Sequence, residues 1–163
     1  DVNQLAIQPA SKCASGAICF VFAIAMISGA LAADSPPAPQ VRVDPELTQA
    51  RDLIAQKDWS GAAQVLSTYV AAHSGSADGF NLLGYSYRNL KRYAESFKAY
   101  ETALRIDPEH RGAHEYIGVA YIETGNLAKA EEHLKALDKI CLLPCEEYTD
   151  LKKAVAAATA KGR

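Results

Sequence analysis

The segment Gly84-Tyr85-Ser86-Tyr87 returns further along the chain as Gly118-Val119-Ala120-Tyr121. Both copies begin with a small residue and end with a tyrosine. A fixed period of about 34 residues is typical of stacked helical hairpins, in which each hairpin covers the apolar face of its neighbour. Such stacks build extended binding surfaces. The spacing therefore predicts an all-α solenoid.

Aligning the chain at this spacing gives whole columns of similar residues. Small residues share some columns and large apolar residues share others, as expected for paired helices whose backbones approach closely. The columns are Ala50/Gly84/Gly118, Leu53/Tyr87/Tyr121, Trp59/Tyr93/Leu127, Ala62/Ser96/Ala130 and Leu66/Tyr100/Leu134. Ser96 is expected to bond back to its own helix. The columns predict helix pairs over residues 43–76, 77–110 and 111–144.

The middle copy, residues 77–110, resembles the tetratricopeptide repeat (TPR) family. The residues that match the family pattern are Phe80, Leu83, Gly84, Tyr87, Tyr93, Tyr100, Ala103 and Pro108. The third copy has Leu142 in place of the closing proline, and the first has Ala50 for the glycine and Ser74 for the proline. The resemblance implies a right-handed α-solenoid of about three helix-turn-helix repeats.

A further amphipathic helix is predicted after the third copy, over residues 146–161. Its apolar residues fall on one face: Tyr148, Leu151, Val155 and Ala158. This C-terminal helix is expected to cap the last repeat, whose apolar face would otherwise be bare. The helix junctions are marked by capping acids, prolines and tight-turn residues: Asp44-Pro45, Asp58, Gly75, Asp78, Asp107-Pro108 and Gly125-Asn126.

The N-terminal part has the features of a secretory signal. Residues 14–33 contain no charged side chain, Lys12 precedes them, and Ala30-Leu31-Ala32 offers a small-x-small cleavage site. We therefore expect residues 1–32 to be a signal peptide and the mature protein to be periplasmic or secreted. A retained membrane anchor is the alternative, because 14–33 is just long enough to span a bilayer.

A proline-rich linker is predicted over residues 33–43, because the prolines of Ser35-Pro36-Pro37-Ala38-Pro39 disfavour helix. Residues 44–163 then suit one compact TPR domain. The whole chain has 19 acidic and 17 basic residues, a net charge of −2. No strong field would therefore recruit nucleic acid, and no membrane contact is expected once the signal peptide is removed.

Cys141 and Cys145 flank a turn that contains Pro144, between the last repeat helix and the capping helix. In an exported protein such a pair most simply forms a disulfide, which would set the angle of the final helix. Free or reactive thiols remain a second interpretation. A metal site is a third, but it would need His133, which is expected at the surface, as a further ligand.

No arrangement of residues indicates catalysis. His73, His110 and His114 are expected to be ordinary polar residues at helix ends. The sequence has no nucleophile elbow, phosphate loop or zinc-binding H-E-x-x-H pattern. We therefore expect a protein that is not an enzyme and that needs no cofactor or metal.

The TPR resemblance implies a concave groove lined by the first helix of each pair. The positions that would face a ligand are Asp78, Asn81, Tyr85, Arg88 and Asn89 in the middle copy and Glu115, Val119, Ile122 and Glu123 in the third. The third copy thus offers an apolar strip, Val119 and Ile122, edged by acids. A peptide or helix with apolar anchors and one basic side chain would complement this strip.

Family members that bind chaperone tails grip a terminal carboxylate with a clamp of lysines, asparagines and an arginine. The matching positions here are Leu47, Arg51, Leu82, Gly112 and Tyr116. Only Arg51 could contact a carboxylate, so the resemblance argues against that function. Residues 137–141 and 145–152 resemble the ending of small exported bacterial TPR proteins, which implies a periplasmic setting.

The sequence therefore favours a non-catalytic scaffold that binds a peptide or helix of a protein partner in the groove. Two alternatives remain open. One is a self-associating structural protein, and the oligomeric state is not predicted. The other is a thiol-redox or metal role for Cys141 and Cys145.

Overall fold

The computed structural model describes residues 44–162. Within them the chain forms seven α-helices and no strand: α1 Pro45–Ala55, α2 Trp59–Ala72, α3 Ala77–Asn89, α4 Tyr93–Ile106, α5 Arg111–Glu123, α6 Leu127–Ile140 and α7 Glu146–Lys161. The predicted signal peptide, its anchor alternative and the linker lie outside the described residues. Across 44–162, every helix is too short or too polar to cross a bilayer.

The helices pack in chain order as three pairs, α1 with α2, α3 with α4, and α5 with α6. The first helices of the pairs also contact one another in sequence, and α7 packs against both α5 and α6. The predicted all-α solenoid of three helix pairs with a C-terminal capping helix is thereby confirmed. We call the face lined by α1, α3, α5 and α7 the inner face.

The same tight turn joins the two helices of every pair. The residue after the C-cap of the first helix has a positive φ in each copy, 61° at Lys57, 62° at Lys91 and 81° at Gly125. The N–H of the following residue reaches back to close the helix, as Asp58 does to the Leu53 carbonyl at 2.9 Å, which is the Schellman arrangement. Because these turns recur at the interval of the sequence columns, the backbone repeats with the sequence.

Polar side chains cap the N-termini of most helices. Asp44, Asp58 and Asn126 accept hydrogen bonds from the N–H groups of the first turns of α1, α2 and α6. Ser76 and His110 do the same for α3 and α5. Each cap satisfies a donor that the helix itself leaves free, which fixes where the helix begins.

The close approach of α3 and α4 explains the small residue at position 84. A Cβ added to Gly84 would lie 2.6–2.9 Å from ring atoms of Tyr100, which is completely buried. Ser96 donates a hydrogen bond of 2.8 Å to the Gly84 carbonyl. Our prediction that Ser96 bonds to its own helix is wrong, because the two backbones are near enough for its short side chain to reach across.

The equivalent glycine of the third copy receives the capping helix instead. A Cβ added to Gly118 would lie 2.7 Å from a methyl group of Leu151. Leu83, Ile117 and Leu151 occupy equivalent positions in successive copies, and all three are buried. Helix α7 therefore continues the register of the stack, as the first helix of a fourth pair would.

Cys141 and Cys145 form a disulfide across the turn between α6 and α7, with their Cα atoms 5.8 Å apart. The pairing favoured by the sequence is confirmed. Between the two cysteines, Leu142 and Leu143 are 99% and 80% exposed. The covalent link closes the turn while its tip stays in solvent.

Replacing Lys57 with glycine should stabilise the chain. A side chain in the left-handed region costs roughly 1 kcal/mol, and this cost is offset in part by the greater flexibility of glycine in the unfolded state. We expect urea unfolding to show a gain of about 0.5 kcal/mol. The matched control Lys98→Gly, inside α4, should lose about 1 kcal/mol. A loss at both positions would contradict the assignment of backbone strain to the turn.

Replacing Gly84 with alanine should destabilise the chain, because the new methyl group meets the buried ring of Tyr100. The expected loss in the free energy of unfolding is about 1–3 kcal/mol, although alanine is the better helix former. Gly75→Ala is the control, since a Cβ there meets nothing within 4 Å. Thermal melts with the same midpoint for both variants would rule out close packing as the reason for this glycine.

Candidate functional site

A cavity of about 320 Å³ lies on the inner face, where all four inner helices contribute side chains. It is lined by Arg51 of α1, Asn81 and Leu82 of α3, Gly112, Glu115 and Tyr116 of α5, and Glu146, Glu147 and Asp150 of α7. We call it the inner-face cavity. Four of its nine lining residues are carboxylates and one is a guanidinium, so its charge is predominantly negative.

Helix α7 supplies most of this charge. Glu146 and Asp150 are one helical turn apart, which places them on one side of the helix, with Glu147 beside them. Asp150 accepts a hydrogen bond of 3.0 Å from Lys153, and Glu147 lies 3.9 Å from Arg111. Solvent-accessible ion pairs of this kind contribute little free energy. The α7 wall of the cavity therefore stays acidic.

Glu115 faces this wall from α5 and is half-buried. Burial raises the pKa of its carboxyl, and the nearby charges of Asp150 and Glu147 raise it further, to about 7, against the opposing effect of Arg88. Near neutral pH the group is therefore divided between its protonated and ionised forms. A positive charge placed in the cavity would favour ionisation.

Asn81 is a buried polar side chain in the cavity wall, only 6% exposed. Within residues 44–162, no donor reaches its Oδ1. Its Nδ2 faces Gly112, where an added Cβ would lie 3.2 Å away. An unpaired buried carbonyl oxygen costs on the order of 1–3 kcal/mol. Rotation of the amide exchanges its two ends, so a ligand donor in the cavity can satisfy this oxygen.

A row of aromatic rings runs beside the cavity. The centroid of the Tyr85 ring lies 5.8 Å from that of Trp59 and 4.9 Å from that of Tyr116. The guanidinium of Arg88 lies 5.2 Å from the Tyr85 centroid. These contacts join α2, α3 and α5, and they hold the ring of Tyr116 at the cavity wall.

The predicted site residues Arg88 and Glu123 bind each other, with Nη1 and Oε1 2.6 Å apart. Lys91 and the Tyr93 hydroxyl donate to the other carboxylate oxygen at 3.3 and 2.9 Å. Burial alone would raise the pKa of Glu123, but these hydrogen bonds and the Arg88 charge hold it below its usual value. The cluster ties the second helix pair to the third.

Two further predicted residues make contacts within the chain. Asp78 Oδ1 lies 3.1 Å from His110 Nε2, and His110 Nδ1 accepts from the Ala113 N–H at 3.1 Å. Because Nδ1 acts as an acceptor, Nε2 carries the proton and donates to Asp78. Asn89 donates to the Tyr85 carbonyl of its own helix at 2.9 Å.

The predicted apolar strip, Val119 and Ile122, is partly covered. Both residues pack against the buried cluster that contains Leu151 and Val155 of α7. Of the nine predicted partner-binding residues, the cavity brings together Asn81 and Glu115, while Tyr85 stands behind its wall. Their role in binding a partner stays a prediction.

Sequence reasoning missed the contribution of α7 to the inner face. Glu146 falls one repeat interval after Gly112, so extending the alignment past the third copy would have placed α7 beside α5. The cavity also includes four of the five positions that match the carboxylate clamp: Arg51, Leu82, Gly112 and Tyr116. Its negative charge is the opposite of what a terminal carboxylate requires.

His133, which we expected at the surface, is only partly exposed. Its Nδ1 lies 2.9 Å from His114 Nδ1, and its ring stacks on Tyr121. His114 Nε2 donates to the Pro108 carbonyl at 3.0 Å, so His114 Nδ1 accepts from His133. Burial and the neighbouring His114 lower the pKa of His133 to about 4.

In the described part of the chain, no three His, Cys, Asp or Glu side chains could hold a metal ion.

Replacing Glu115 with glutamine should stabilise the chain above neutral pH. The pKa of Glu115 is about 7 in the folded state, against an ordinary value of 4.5. As the pH rises between these values, the unfolded chain loses its proton first, and folding becomes less favourable. Glu115→Gln removes this penalty. Allowing for solvent screening, we expect a gain of about 1 kcal/mol at pH 8 and none at pH 4.5.

Urea unfolding at pH 4.5, 6 and 8 measures this effect. Glu101→Gln, which removes an exposed charge on α4, is the matched control for net charge. The difference in unfolding free energy between Glu115→Gln and the original chain should grow with pH. If it stays constant across the three pH values, the pKa of the Glu115 carboxyl is not raised by burial.

Two family models described as tetratricopeptide repeat match the chain, one over residues 47–110 and the other over residues 88–140. Together they span more than half of the chain. No curated protein matches the sequence.

Solved structures with a similar fold have low sequence identity to this chain. The type III secretion translocator chaperone SycD of Yersinia enterocolitica is 17% identical, with a TM-score of 0.65 over 72% of this chain and 83% of that chain. PcrH, solved with the chaperone binding region of PopD, is 15% identical, with a TM-score of 0.64 over 72% and 91% of the two chains.

The second TPR domain of human RPAP3, solved with an HSP70 peptide, is 18% identical, with a TM-score of 0.60 over 67% of this chain and 91% of that chain. At these identities the likeness shows the fold alone. The repeat period, the three helix pairs and the two family models agree, and the chain belongs to the tetratricopeptide repeat family.

Proposed function

We propose that this protein is a non-catalytic interaction scaffold that binds a peptide segment of a partner protein on its inner face. The inner-face cavity is the observation that carries the proposal. Side chains from α1, α3, α5 and α7 meet in this single recess, so one bound segment would contact every repeat. Concave surfaces shared by successive repeats are what this architecture provides for binding.

The chemistry of the wall suits a peptide. The amide of Asn81 can donate to a backbone carbonyl or accept from a backbone N–H. The ring of Tyr116 offers apolar surface with a polar tip. The cavity therefore combines backbone recognition with one flat apolar contact.

Complexes of proteins with a similar fold support the same proposal. SycD has been solved with a peptide of the translocator YopD, PcrH with the chaperone binding region of PopD, and RPAP3 with an HSP70 peptide. These ligands belong to those proteins. What we take from them is the class of ligand, a peptide segment of another protein.

The residues that line the cavity give no support to catalysis. They include four carboxylates, one tyrosine and one arginine, and no serine, cysteine or histidine lies among them. A serine or cysteine nucleophile paired with a histidine base is therefore not available in this recess. Binding is the function that we propose for these side chains.

We place the scaffold outside the cytoplasm, in the periplasm or secreted. The predicted signal peptide over residues 1–32 motivates this location. The disulfide between Cys141 and Cys145 supports it, because such bonds persist in oxidising compartments and are rare where thiols are kept reduced.

A photoreactive benzoylphenylalanine at position 116 should crosslink the partner in cells that naturally make the full chain. The ring of Tyr116 lies at the cavity wall, so the probe would touch a bound segment. The same probe in place of Glu101, exposed on α4 and outside the cavity, is the control. We expect a heterologous product from position 116 and none from position 101.

Mass spectrometry of the digested product would identify the crosslinked segment of the partner. A product from position 101 alone would place the interface on the opposite face and contradict the proposal. A product that contains only a second copy of this chain would favour a self-associating structural protein instead.

A further inference from the structure

The polar groups of the inner-face cavity share one property, which is that nearly all of them accept hydrogen bonds. Glu115, Glu146, Glu147 and Asp150 carry carboxylates, and ionised carboxylates only accept. With the single guanidinium of Arg51, the lining has a net charge close to −3 when every group is ionised. A recess of this kind is complementary to a group that carries positive charge and only donates.

Asn81 is an independent observation that points to the same kind of ligand. Its side chain lies in the cavity wall, the residue is only 6% exposed, and in the described residues its Oδ1 has no donor. The domain does not satisfy this oxygen from its own groups. Rotation of the amide would exchange Oδ1 with Nδ2, which faces Gly112 of the cavity wall, and a ligand N–H could then satisfy the oxygen and relieve a desolvation cost already present in the free protein.

The cations near the cavity form ion pairs at its edge. Arg88 is bound to Glu123, whereas Lys153 and Arg111 pair with the cavity carboxylates Asp150 and Glu147 from exposed positions, at 3.0 and 3.9 Å. Such exposed pairs are weak and exchange readily with solvent. Within residues 44–162, Glu115 and Glu146 have no ion-pair partner, so their charge is available to a cation that comes from outside.

A metal ion does not fit this arrangement. Among residues 44–162, no three acidic, histidine or cysteine side chains lie near enough to one another to coordinate one. The cavity has a volume of about 320 Å³, roughly ten times the 30 Å³ of a water molecule in the liquid. Carboxylates spread around such a volume suit a larger cation with several N–H donors.

We propose that the inner-face cavity receives the cationic side chain of a lysine or arginine in the bound peptide, between Glu115 of α5, the carboxylates of α7 and the amide of Asn81. This inference rests on the proposed peptide-binding function. The ammonium of lysine has three donors and the guanidinium of arginine has five. The apolar stem of either side chain would lie along the ring of Tyr116.

Binding should strengthen as the pH rises. The pKa of Glu115, about 7 in the free chain, would fall when a cation occupies the cavity, so binding releases a proton. The linked equilibrium then makes the affinity about tenfold weaker at pH 6 than at pH 8. The other charged or titratable groups around Glu115 are the carboxylates of α7, the guanidinium groups of Arg51 and Arg88, and the hydroxyl of Tyr116: Glu146, Glu147, Asp150, Arg51, Arg88 and Tyr116.

Selection from a display library of random twelve-residue peptides on the immobilised full chain at pH 8 tests this inference. A fixed linker precedes every peptide, so that no free N-terminal amine competes with side chains. We expect the enriched peptides to share a lysine or arginine at one position. The basic preference should be lost on Glu115→Gln/Glu146→Gln and kept on Glu101→Gln, the control outside the cavity.

A synthetic copy of the most enriched peptide then measures how much the basic side chain contributes to the affinity. Replacing its shared basic residue with norleucine, which keeps the stem and removes the charge, should weaken binding at least tenfold to the original chain. For the double variant Glu115→Gln/Glu146→Gln, replacing the basic residue of the peptide with norleucine should change the affinity less than twofold. If that variant does not fold, the norleucine peptide and the comparison of pH 6 with pH 8 still test the inference on the original chain.

The outcomes separate this inference from the proposed function. Enrichment of peptides without a shared basic residue, or with a shared acidic one opposite Arg51, would overturn the cationic ligand and leave peptide binding intact. Failure of any peptide to enrich on the original chain would overturn both. Affinity that does not change between pH 6 and pH 8 would exclude Glu115 from the contact.

Discussion

The packing of the whole stack depends on the small residues Ala50, Gly84 and Gly118, all of which are buried. Where the side chain is absent, another residue fills the space, Tyr100 at the second position and Leu151 at the third. Each fill holds a neighbouring helix at short range, where dispersion contacts are dense. Tyr100 thereby holds α4 against α3, and Leu151 holds α7 against α5, so that α5 and α7 together form part of the cavity wall.

The distribution of charged residues tells more about this molecule than its net charge does. The chain as a whole is close to neutral, yet the inner face separates its signs. Arg88 and Glu123 neutralise each other between the second and third pairs, where they act as a structural tie. Glu115 and the acids of α7 face one recess with few opposing charges. Net charge therefore says little about what such a surface attracts.

The parts of the fold that were predictable from the sequence depend on local chemistry. Caps such as Asp58 and the turn at Gly125 each follow from backbone rules that act over a few residues. The reach of Ser96 across to another helix and the contact of His133 with His114 depend on distances between helices. Those distances are products of packing, which the spacing of residues in the sequence does not state.

The cavity was less predictable for the same reason. Glu115 was expected on the inner face, but its acidic neighbours lie on α7, which we expected to be only a cap. The burial of Leu151 shows that α7 instead extends the repeat register. Because α7 lies beside α5 in this register, its acidic residues form one wall of the site. That wall begins directly after Cys145, so a covalent bond and a buried leucine anchor it. Dissolved ions screen charges over about 8 Å at physiological ionic strength, but they act on neither anchor. Added salt would thus weaken the field of these carboxylates without moving them.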